Sequence, residues 1–173
     1  MKKYELTEET VTVYGKTLYR IRAVRDFGSV KTGEFGGYIE KEENLSHFGD
    51  AWVYGNAKVY GDARVSGNAW IYGDARVFGN ARVSGNARVY GNAEVFNTRH
   101  FFVQGPIGSR DGYVTFYRTK DDTVEVRCGC FSGSLQEFVN QVEETHGGSR
   151  YEKEYKLAAE LAKVCIRLEG ESR

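Results

Sequence analysis

The stretch that decides the fold runs from Gly49 to Phe96 and reads GDAWVY GNAKVY GDARVS GNAWIY GDARVF GNARVS GNARVY GNAEVF. These eight six-residue repeats follow one another without an insertion. In an extended strand the Ala and the Val or Ile of each repeat point to one side, and the variable residues beside the Val point to the other. The Gly and the Asn or Asp tolerate the positive φ that a corner requires. The pattern predicts a four-residue strand and a two-residue corner, repeated as in a parallel β-helix.

The alternation of a small Ala with Val or Ile suits a narrow interior. A helix is excluded, because a glycine at every sixth position would cost about 1 kcal/mol each time. The period continues imperfectly on both sides: Ile39 and Leu45 fall in the alanine register, and Phe101 and Ile107 fall in the valine register. We therefore predict a stack that begins near Phe35 and ends near Gly108.

The repeats, together with the preceding FGGYIEKEENLS at 35–46, resemble the hexapeptide-repeat proteins with a left-handed parallel β-helix. They are most similar to a branch common in phages and prophages, whose members are often labelled acyltransferase or polymer-forming protein. The resemblance implies a left-handed coil of three repeats and assembly into a homotrimer. With three repeats per coil, the predicted stack has about four coils.

Eighteen residues per coil place the outward side chains in columns on three faces. The first face carries Trp52, Tyr54, Trp70, Tyr72, Arg88 and Tyr90. The second carries Lys58, Tyr60, Arg76, Phe78, Glu94 and Phe96, and the third carries Phe48, Arg64, Ser66, Arg82, Ser84, His100 and Phe102. Stacked aromatic side chains stabilise neighbouring strands. The number of outward aromatic residues on these faces nevertheless exceeds what a monomer normally exposes to solvent. We expect at least one aromatic face to be covered, by an oligomer interface or by the terminal segments.

The chain ends predict two further domains around a β-helix over 35–108. Within 1–34, the segment 10–24 indicates a hairpin that turns at Gly15-Lys16 and caps the first coil or covers an aromatic face. Within 109–173, two strand patterns precede a capping box at Ser134 and Glu137, which opens a helix to about Thr145. A second, amphipathic helix follows from Arg150 to Leu168. The fold class is thus mainly β, with a small C-terminal ββαα domain.

Three features are candidates for binding a small anion. Arg64, Arg82 and His100 share one column, and arginine forks suit phosphate or carboxylate, although such a column is more often solvated. The loop GPIGSRDG at 105–112 combines backbone N–H groups with Ser109 and Arg110. Ser132 and Ser134 lie at the predicted start of a helix. Both loops also have an ordinary structural explanation, as a turn that leaves the coil and as a helix cap.

Catalytic and metal sites find less support. Cys128, Cys130, His146 and Cys165 lack a standard zinc spacing, so we assign no metal. The acyltransferases that the repeats resemble use a histidine as general base and acyl-CoA as donor. Only His100 and His47 are candidates for that base, and no loop interrupts the repeats to form an acceptor pocket. We therefore predict no catalytic residue and no cofactor, with acyl-CoA retained only for the acyltransferase alternative.

Composition narrows the partners. The 24 Lys and Arg balance the 24 Asp and Glu, which argues against a dedicated nucleic-acid or membrane-surface protein. Three cysteines and no apolar leader indicate a reduced cytoplasm, that of the host cell for a phage protein. We expect a non-enzymatic, trimeric binding protein for a small anionic, nucleotide-like ligand or a bacterial host protein, with inhibition of a host defence system as its role. An acyltransferase and a self-assembling structural module are the alternatives.

Overall fold

The N-terminal segment forms an antiparallel hairpin of β1 (Tyr4–Val13) and β2 (Lys16–Ala23), in a computed structural model that describes residues 1–169. Its two-residue turn, Tyr14-Gly15, has φ of 47° and 76°, as in the turns that match the twist of a hairpin. The predicted hairpin is confirmed, although it begins earlier, at Tyr4, and it turns at Tyr14-Gly15 rather than at the predicted Gly15-Lys16. The third strand, β3 (Phe35–Ile39), pairs antiparallel with β2.

The repeats form a β-solenoid of roughly three turns. Its strands are β4 (Trp52–Val53), β5 (Lys58–Val59), β6 (Arg64–Val65), β7 (Trp70–Ile71), β8 (Arg76–Val77), β9 (Arg82–Val83), β10 (Arg88–Val89) and β11 (Glu94–Val95). Each strand pairs in parallel with the strand three repeats later, as Trp52 with Trp70 and Arg64 with Arg82. Three repeats per coil are therefore confirmed.

Each strand has two residues rather than the predicted four. The Ala57 N–H donates to the Tyr54 carbonyl oxygen at 3.1 Å, so a four-residue turn occupies most of each repeat. Backbone N–H groups of one coil donate to carbonyl oxygens of the next, as Lys58 to Ala75 at 2.9 Å. The predicted interior is confirmed, because every repeat Ala, Val and Ile is at most 1% exposed.

The hairpin continues the second face of the solenoid, because β3 also pairs in parallel with β5. The resulting sheet has the order β1-β2-β3-β5-β8-β11. Leu18 of β2 packs with Tyr60, which is 4% exposed, and Val11 and Val13 lie beside them. The N-terminal segment therefore covers part of the aromatic column on the second face. Of the two predicted covers, an oligomer interface or a terminal segment, the second is observed here.

Side chains close the open end of the first coil. The preceding segment supplies backbone N–H groups to Ala57, Val59 and Val65 of the coil formed by 49–66, and side chains supply donors to other carbonyl oxygens of that coil, since an uncovered edge is a liability. The Lys3 ammonium donates to Ala51 O at 2.6 Å and Gly49 O at 3.2 Å. The Asn44 amide donates to Ala63 O at 2.8 Å and Gly61 O at 3.0 Å. Burial lowers the pKa of Lys3 to about 8, with Asp50 opposing the shift.

The segment that precedes the regular repeats, 35–48, departs from the predicted register. Ile39 pairs with Val59 and Leu45 with Val65, so both occupy valine rather than alanine positions. A side chain of that size does not fit where the next coil has Ala. The spacing to the next coil is therefore longer by two residues in this segment. The eighteen-residue spacing is recovered at Gly49, where a β-carbon would lie 2.5 Å from Gly67 O.

The second compact unit begins at Arg99. Its antiparallel sheet has the order β12 (Phe101–Ile107), β13 (Gly112–Arg118), β14 (Val124–Cys128) and β15 (Phe131–Ser134). The helices α1 (Leu135–His146) and α2 (Arg150–Cys165) pack on it through Phe116, Val126, Phe138 and Ala162. Within the described residues, neither helix has the length and apolar character needed to cross a membrane.

Two predictions about this unit are wrong. The repeat period predicts that 101–107 ends the β-helix, but Phe102 pairs with Phe116 in an antiparallel ladder. The solenoid thus has roughly three turns instead of about four, and the division falls after Thr98 rather than Gly108. The unit also has four strands, since β15 was not predicted. The capping box at Ser134 is confirmed, with Glu137 accepting from the Ser134 N–H at 2.8 Å.

Two glycines, Gly67 (φ +67°) and Gly85 (φ +69°), test how closely successive coils approach each other. Their φ angles are nearly equal, so a substitution at either one has the same backbone cost. A β-carbon on Gly67 would lie 2.9 Å from Gly85 N, whereas one on Gly85 meets nothing within 4 Å. We expect Gly85→Ala to cost about 1 kcal/mol, from the left-handed backbone alone, and Gly67→Ala to cost at least twice that. Urea unfolding followed by tryptophan fluorescence measures both, and equal losses would contradict the close stacking.

Candidate functional site

Two arginines on the third face form the core of the candidate site. Arg64 of β6 and Arg82 of β9 are register partners in a parallel ladder, so their backbones are about 4.8 Å apart. Both are exposed and border a cleft of about 580 Å³. The cleft is lined by Lys41, Glu43, Asp62, Ala63, Arg64, Asn80, Arg82, Asn97 and Thr98.

Some charged side chains of the cleft form ion pairs with each other, and within the described residues the two arginine side chains do not. Asp62 forms an ion pair with Lys41 at 3.1 Å. Across residues 1–169, neither the Arg64 nor the Arg82 side chain forms a hydrogen bond or an ion pair. Like charges directly opposite one another in a ladder are destabilising. The two guanidinium groups therefore offer open donors to an anion, and the exposed Asn80 adds an amide at the same cleft.

The predicted anion-binding loop at 105–112 has its central amide in use. The Gly108 N–H donates to the Glu154 carboxylate at 2.7 Å. Gly108 also lies directly against the Tyr155 hydroxyl, where a β-carbon would approach to 1.9 Å. Ser109 and Arg110 are exposed on the turn. An internal carboxylate thus occupies the place that the sequence suggested for a phosphate.

The second predicted anion site is likewise occupied from within. Ser132 is an exposed residue of β15, not part of a helix start. Both the hydroxyl and the backbone N–H of Ser134 donate to Glu137, at 2.7 and 2.8 Å. The Arg64 and Arg82 cleft therefore remains as the predicted site whose donors are open.

His100 does not project from a coil face, so its predicted position is wrong. It lies at the end of a 3₁₀ turn, Thr98–His100, and is only 7% exposed. Burial lowers its pKa from 6.5 to about 4; Arg118 lowers it further and Asp122 opposes the shift. A histidine so buried is poorly placed as a general base or as the third member of the arginine column.

His47 takes part in the structure of the first coil. Its Nδ1 accepts a hydrogen bond from the Lys3 N–H at 3.2 Å. Its ring stacks on Tyr4 with centroids 4.3 Å apart, and its Nε2 lies 3.5 Å from the Glu42 carboxylate. These contacts use Nδ1 and one ring face, and they leave the buried Nε2 beside the Glu42 carboxylate without a hydrogen bond among residues 1–169.

The predicted aromatic interface is partly buried within its own unit. Trp52 is fully buried, with Phe27 at a centroid distance of 5.2 Å, and Tyr60 is covered by the hairpin. The other residues of the first face, Tyr54, Trp70, Tyr72 and Tyr90, remain half-buried or exposed. Arg88 lies 4.6 Å above the Trp70 ring. On the second face, Phe78 stacks between Tyr60 and Phe96 at 5.0 and 5.2 Å.

The cysteines do not form a cluster with other ligands. Cys128 is half-buried on β14, and burial raises its pKa, while Cys130 is exposed in the adjoining turn. Among residues 1–169, no group of three or more His, Cys, Asp or Glu side chains is arranged to hold a metal ion.

Comparison with known proteins supports the repeat assignment. Three overlapping segments, 57–73, 69–85 and 81–95, match the family model described as the YdcK beta solenoid repeat. They lie within the repeats and cover less than half of the chain. No curated protein matches the chain. The repeats and their stacked coils define a β-helix protein.

The buried His100 predicts an acid-sensitive C-terminal unit. Its folded pKa of about 4 lies below the usual 6.5, so between these values the unfolded chain binds a proton that the folded chain does not. The free energy of unfolding should therefore be highest above pH 6.5, and it should fall by roughly 3 kcal/mol as the pH approaches 4. Urea unfolding monitored by helical circular dichroism measures this loss.

His100→Gln should reduce that loss, whereas His146→Gln, on α1, serves as the matched histidine control. A His100→Gln protein with the acid sensitivity of the wild type would show that another group is responsible.

Proposed function

We propose that this protein is a non-enzymatic β-solenoid binding protein that holds a small anionic ligand in the third-face cleft. The observation that carries the proposal is the stacked pair of Arg64 and Arg82, two exposed arginines in direct register that have no carboxylate partner among residues 1–169. Guanidinium forks bind phosphate and carboxylate in bidentate geometry. An anion between them relieves the repulsion that the ladder imposes.

The size and lining of the cleft favour a nucleotide-like ligand over a long polyanion. Its volume of about 580 Å³ lies within the range of small-molecule sites. Glu43 and Asp62 line it beside the arginines, and they repel additional negative charge. A ligand with one compact anionic group and several neutral hydrogen-bonding groups fits both features.

We further propose a homotrimer of left-handed solenoids that associate through the first face. Tyr54, Trp70, Tyr72 and Tyr90 supply an aromatic surface of the kind that interfaces favour. The handedness and the trimer rest on the resemblance to hexapeptide-repeat proteins. The same resemblance carries the proposed role, a phage-type protein in the host cytoplasm that inhibits a defence system by sequestering its anionic ligand or by binding a host protein.

The acyltransferase alternative gains no support from the histidines. Catalysis on an acyl acceptor needs a general base that reaches the substrate. His47 is held by Lys3 and Tyr4, and His100 is buried with a pKa near 4. The repeats also run without an interrupting loop. We therefore do not assign a role to acyl-CoA.

Calorimetric titration with nucleoside monophosphates, together with inorganic phosphate, tests the proposed site. We expect Arg64→Ala and Arg82→Ala each to weaken binding by about tenfold or more, because each removes a charge-assisted hydrogen bond worth about 1.5–3 kcal/mol. Arg76→Ala removes the same side chain from the same repeat position on the second face, and it should bind as the wild type does. Arg110→Ala is the control for the 105–112 loop.

Unchanged affinity in both cleft variants, or a loss confined to Arg110→Ala, would exclude this cleft. A wild-type protein that binds none of these anions would favour a protein partner instead.

Light scattering tests the proposed trimer. The wild type should show the mass of three chains at micromolar concentration, and Tyr72→Lys should shift it toward one chain by placing a charge in the interface. Tyr14→Lys alters a tyrosine that is 81% exposed in the hairpin turn, and it should leave the mass unchanged. A wild-type monomer would refute the trimer.

A further inference from the structure

The last strand of the third face, β9, forms one edge of its two-stranded sheet. One coil earlier, the backbone N–H groups of Arg64 and Ser66 donate to carbonyl oxygens of the following coil, at 2.9 and 3.0 Å. Arg82 and Ser84 hold the same two positions in the last coil. Among residues 1–169, the backbone N–H groups of Arg82 and Ser84 have no hydrogen-bond acceptor.

The chain leaves the solenoid before another strand can cover this edge. His100 and Phe102 follow Arg82 and Ser84 by eighteen residues, but they belong to the second unit, where Phe102 pairs with β13. Ser84 and Gly85 are exposed, and a β-carbon on Gly85 would meet nothing within 4 Å. The edge therefore presents two N–H groups with the Arg82 carbonyl oxygen between them, which is the pattern that a parallel strand needs from its neighbour.

We propose that the β9 edge binds an extended, acidic segment of a partner protein, which adds to the sheet as one more parallel strand. Strand addition of this kind takes its affinity from main-chain hydrogen bonds and its specificity from alternate side chains. The backbone groups of the edge point along the solenoid axis, whereas the arginine side chains point outward from the face. The edge can therefore bind a strand whether or not the cleft binds a small anion.

The earlier coils define the register of the added strand. Its central residue takes the position beside Arg82, about 4.8 Å away between backbones. The carbonyl oxygens of the two flanking residues accept from the Arg82 and Ser84 N–H groups, as those of Ala81 and Val83 accept from the preceding coil. The N–H of the residue after the central one donates to the Arg82 carbonyl oxygen.

The charge of the face selects an acidic residue at the central position. This residue points outward beside the Arg82 side chain, and within residues 1–169 no carboxylate pairs with Arg82 or Arg64. Asp or Glu there pairs favourably across the ladder, whereas Lys or Arg is repelled. The flanking residues point toward the axis, where every coil has Ala and Val or Ile. The segment GNAEVF at 91–96 has this pattern, a small residue, an acidic residue and a β-branched residue.

A second copy of this chain does not meet these requirements. The opposite end of the third face is already covered, since the Ser46 N–H donates to Val65 O at 2.9 Å and the Asn44 amide donates to Ala63 O at 2.8 Å. Solenoids therefore cannot stack end to end through this face. Two β9 edges that pair across a twofold axis would bring one Arg82 beside the other, which is unfavourable.

Amide NMR of the full chain tests the edge, with an acetylated and amidated peptide of sequence GNAEVF as the probe. In the free protein, the Arg82 and Ser84 amides should exchange with solvent at least about a hundredfold faster than those of Arg64 and Ser66, because only the latter two are hydrogen-bonded. The peptide at millimolar concentration should shift the Arg82 and Ser84 amide resonances saturably. Slow exchange at both edge amides, or the absence of a saturable shift, would overturn the proposal.

Two altered peptides separate the charge from the backbone pairing. The peptide GNAKVF should bind about threefold more weakly or worse, since it replaces an exposed ion pair by repulsion. N-methylation of the valine nitrogen removes the donor to the Arg82 carbonyl oxygen, and it should weaken binding by about tenfold. Equal affinity for the three peptides would show that the contact is not a strand addition.

Two protein variants locate the contact. Ser84→Pro should abolish the peptide-induced shifts while the Arg64 and Ser66 amides stay protected, because the lost N–H has no acceptor among residues 1–169. Arg82→Ala should reduce the preference for GNAEVF over GNAKVF, and Arg76→Ala on the second face should retain it. Undiminished binding by Ser84→Pro, or an unchanged preference in Arg82→Ala, would contradict the proposed register.

Discussion

The solenoid depends on one geometric constraint, which is that the chain must return to the same position every eighteen residues. Its interior has room for Ala and a β-branched residue, and the backbone N–H groups of each coil bond to carbonyl oxygens of the next. A side chain therefore lies directly beside its counterpart in the neighbouring coil. The columns of Trp52 with Trp70 and of Arg64 with Arg82 follow from this spacing, whatever the outward residues prefer.

The sequence predicts those parts of the fold that depend on local period. Ala and Val at a spacing of two define the interior, and their constant phase over eight repeats defines the coil. The hairpin turn, predicted one residue too late, and the cap at Ser134 are equally local, since each depends on residues within a few positions. The pairing of Arg64 with Arg82 follows as soon as three repeats make one coil.

Other features depend on contacts between distant residues, which no short pattern encodes. Phe101 and Ile107 keep the phase of the repeats, yet their strand pairs antiparallel with the strand at 112–118 instead of continuing the solenoid. The repeat pattern predicts outward side chains at Trp52 and Tyr60. In the structure Phe27 covers Trp52, and Leu18 covers Tyr60. Glu154 occupies the Gly108 amide from 46 residues away. The leucines of α2 fit an amphipathic pattern and still face solvent, because Ala158, Ala159 and Ala162 already fill the sheet side.

The distribution of carboxylates explains why one candidate site stands apart. In the C-terminal unit Glu154 and Glu137 satisfy the amides that a phosphate could have used. At the third face Asp62 pairs with Lys41, and within the described residues no carboxylate pairs with Arg64 or Arg82, which is why we propose an external anion there. A crystal structure of the protein grown with a nucleoside monophosphate tests this claim most directly. The account predicts the phosphate group between the guanidinium groups of Arg64 and Arg82, whereas an empty cleft with the nucleotide bound elsewhere would contradict it.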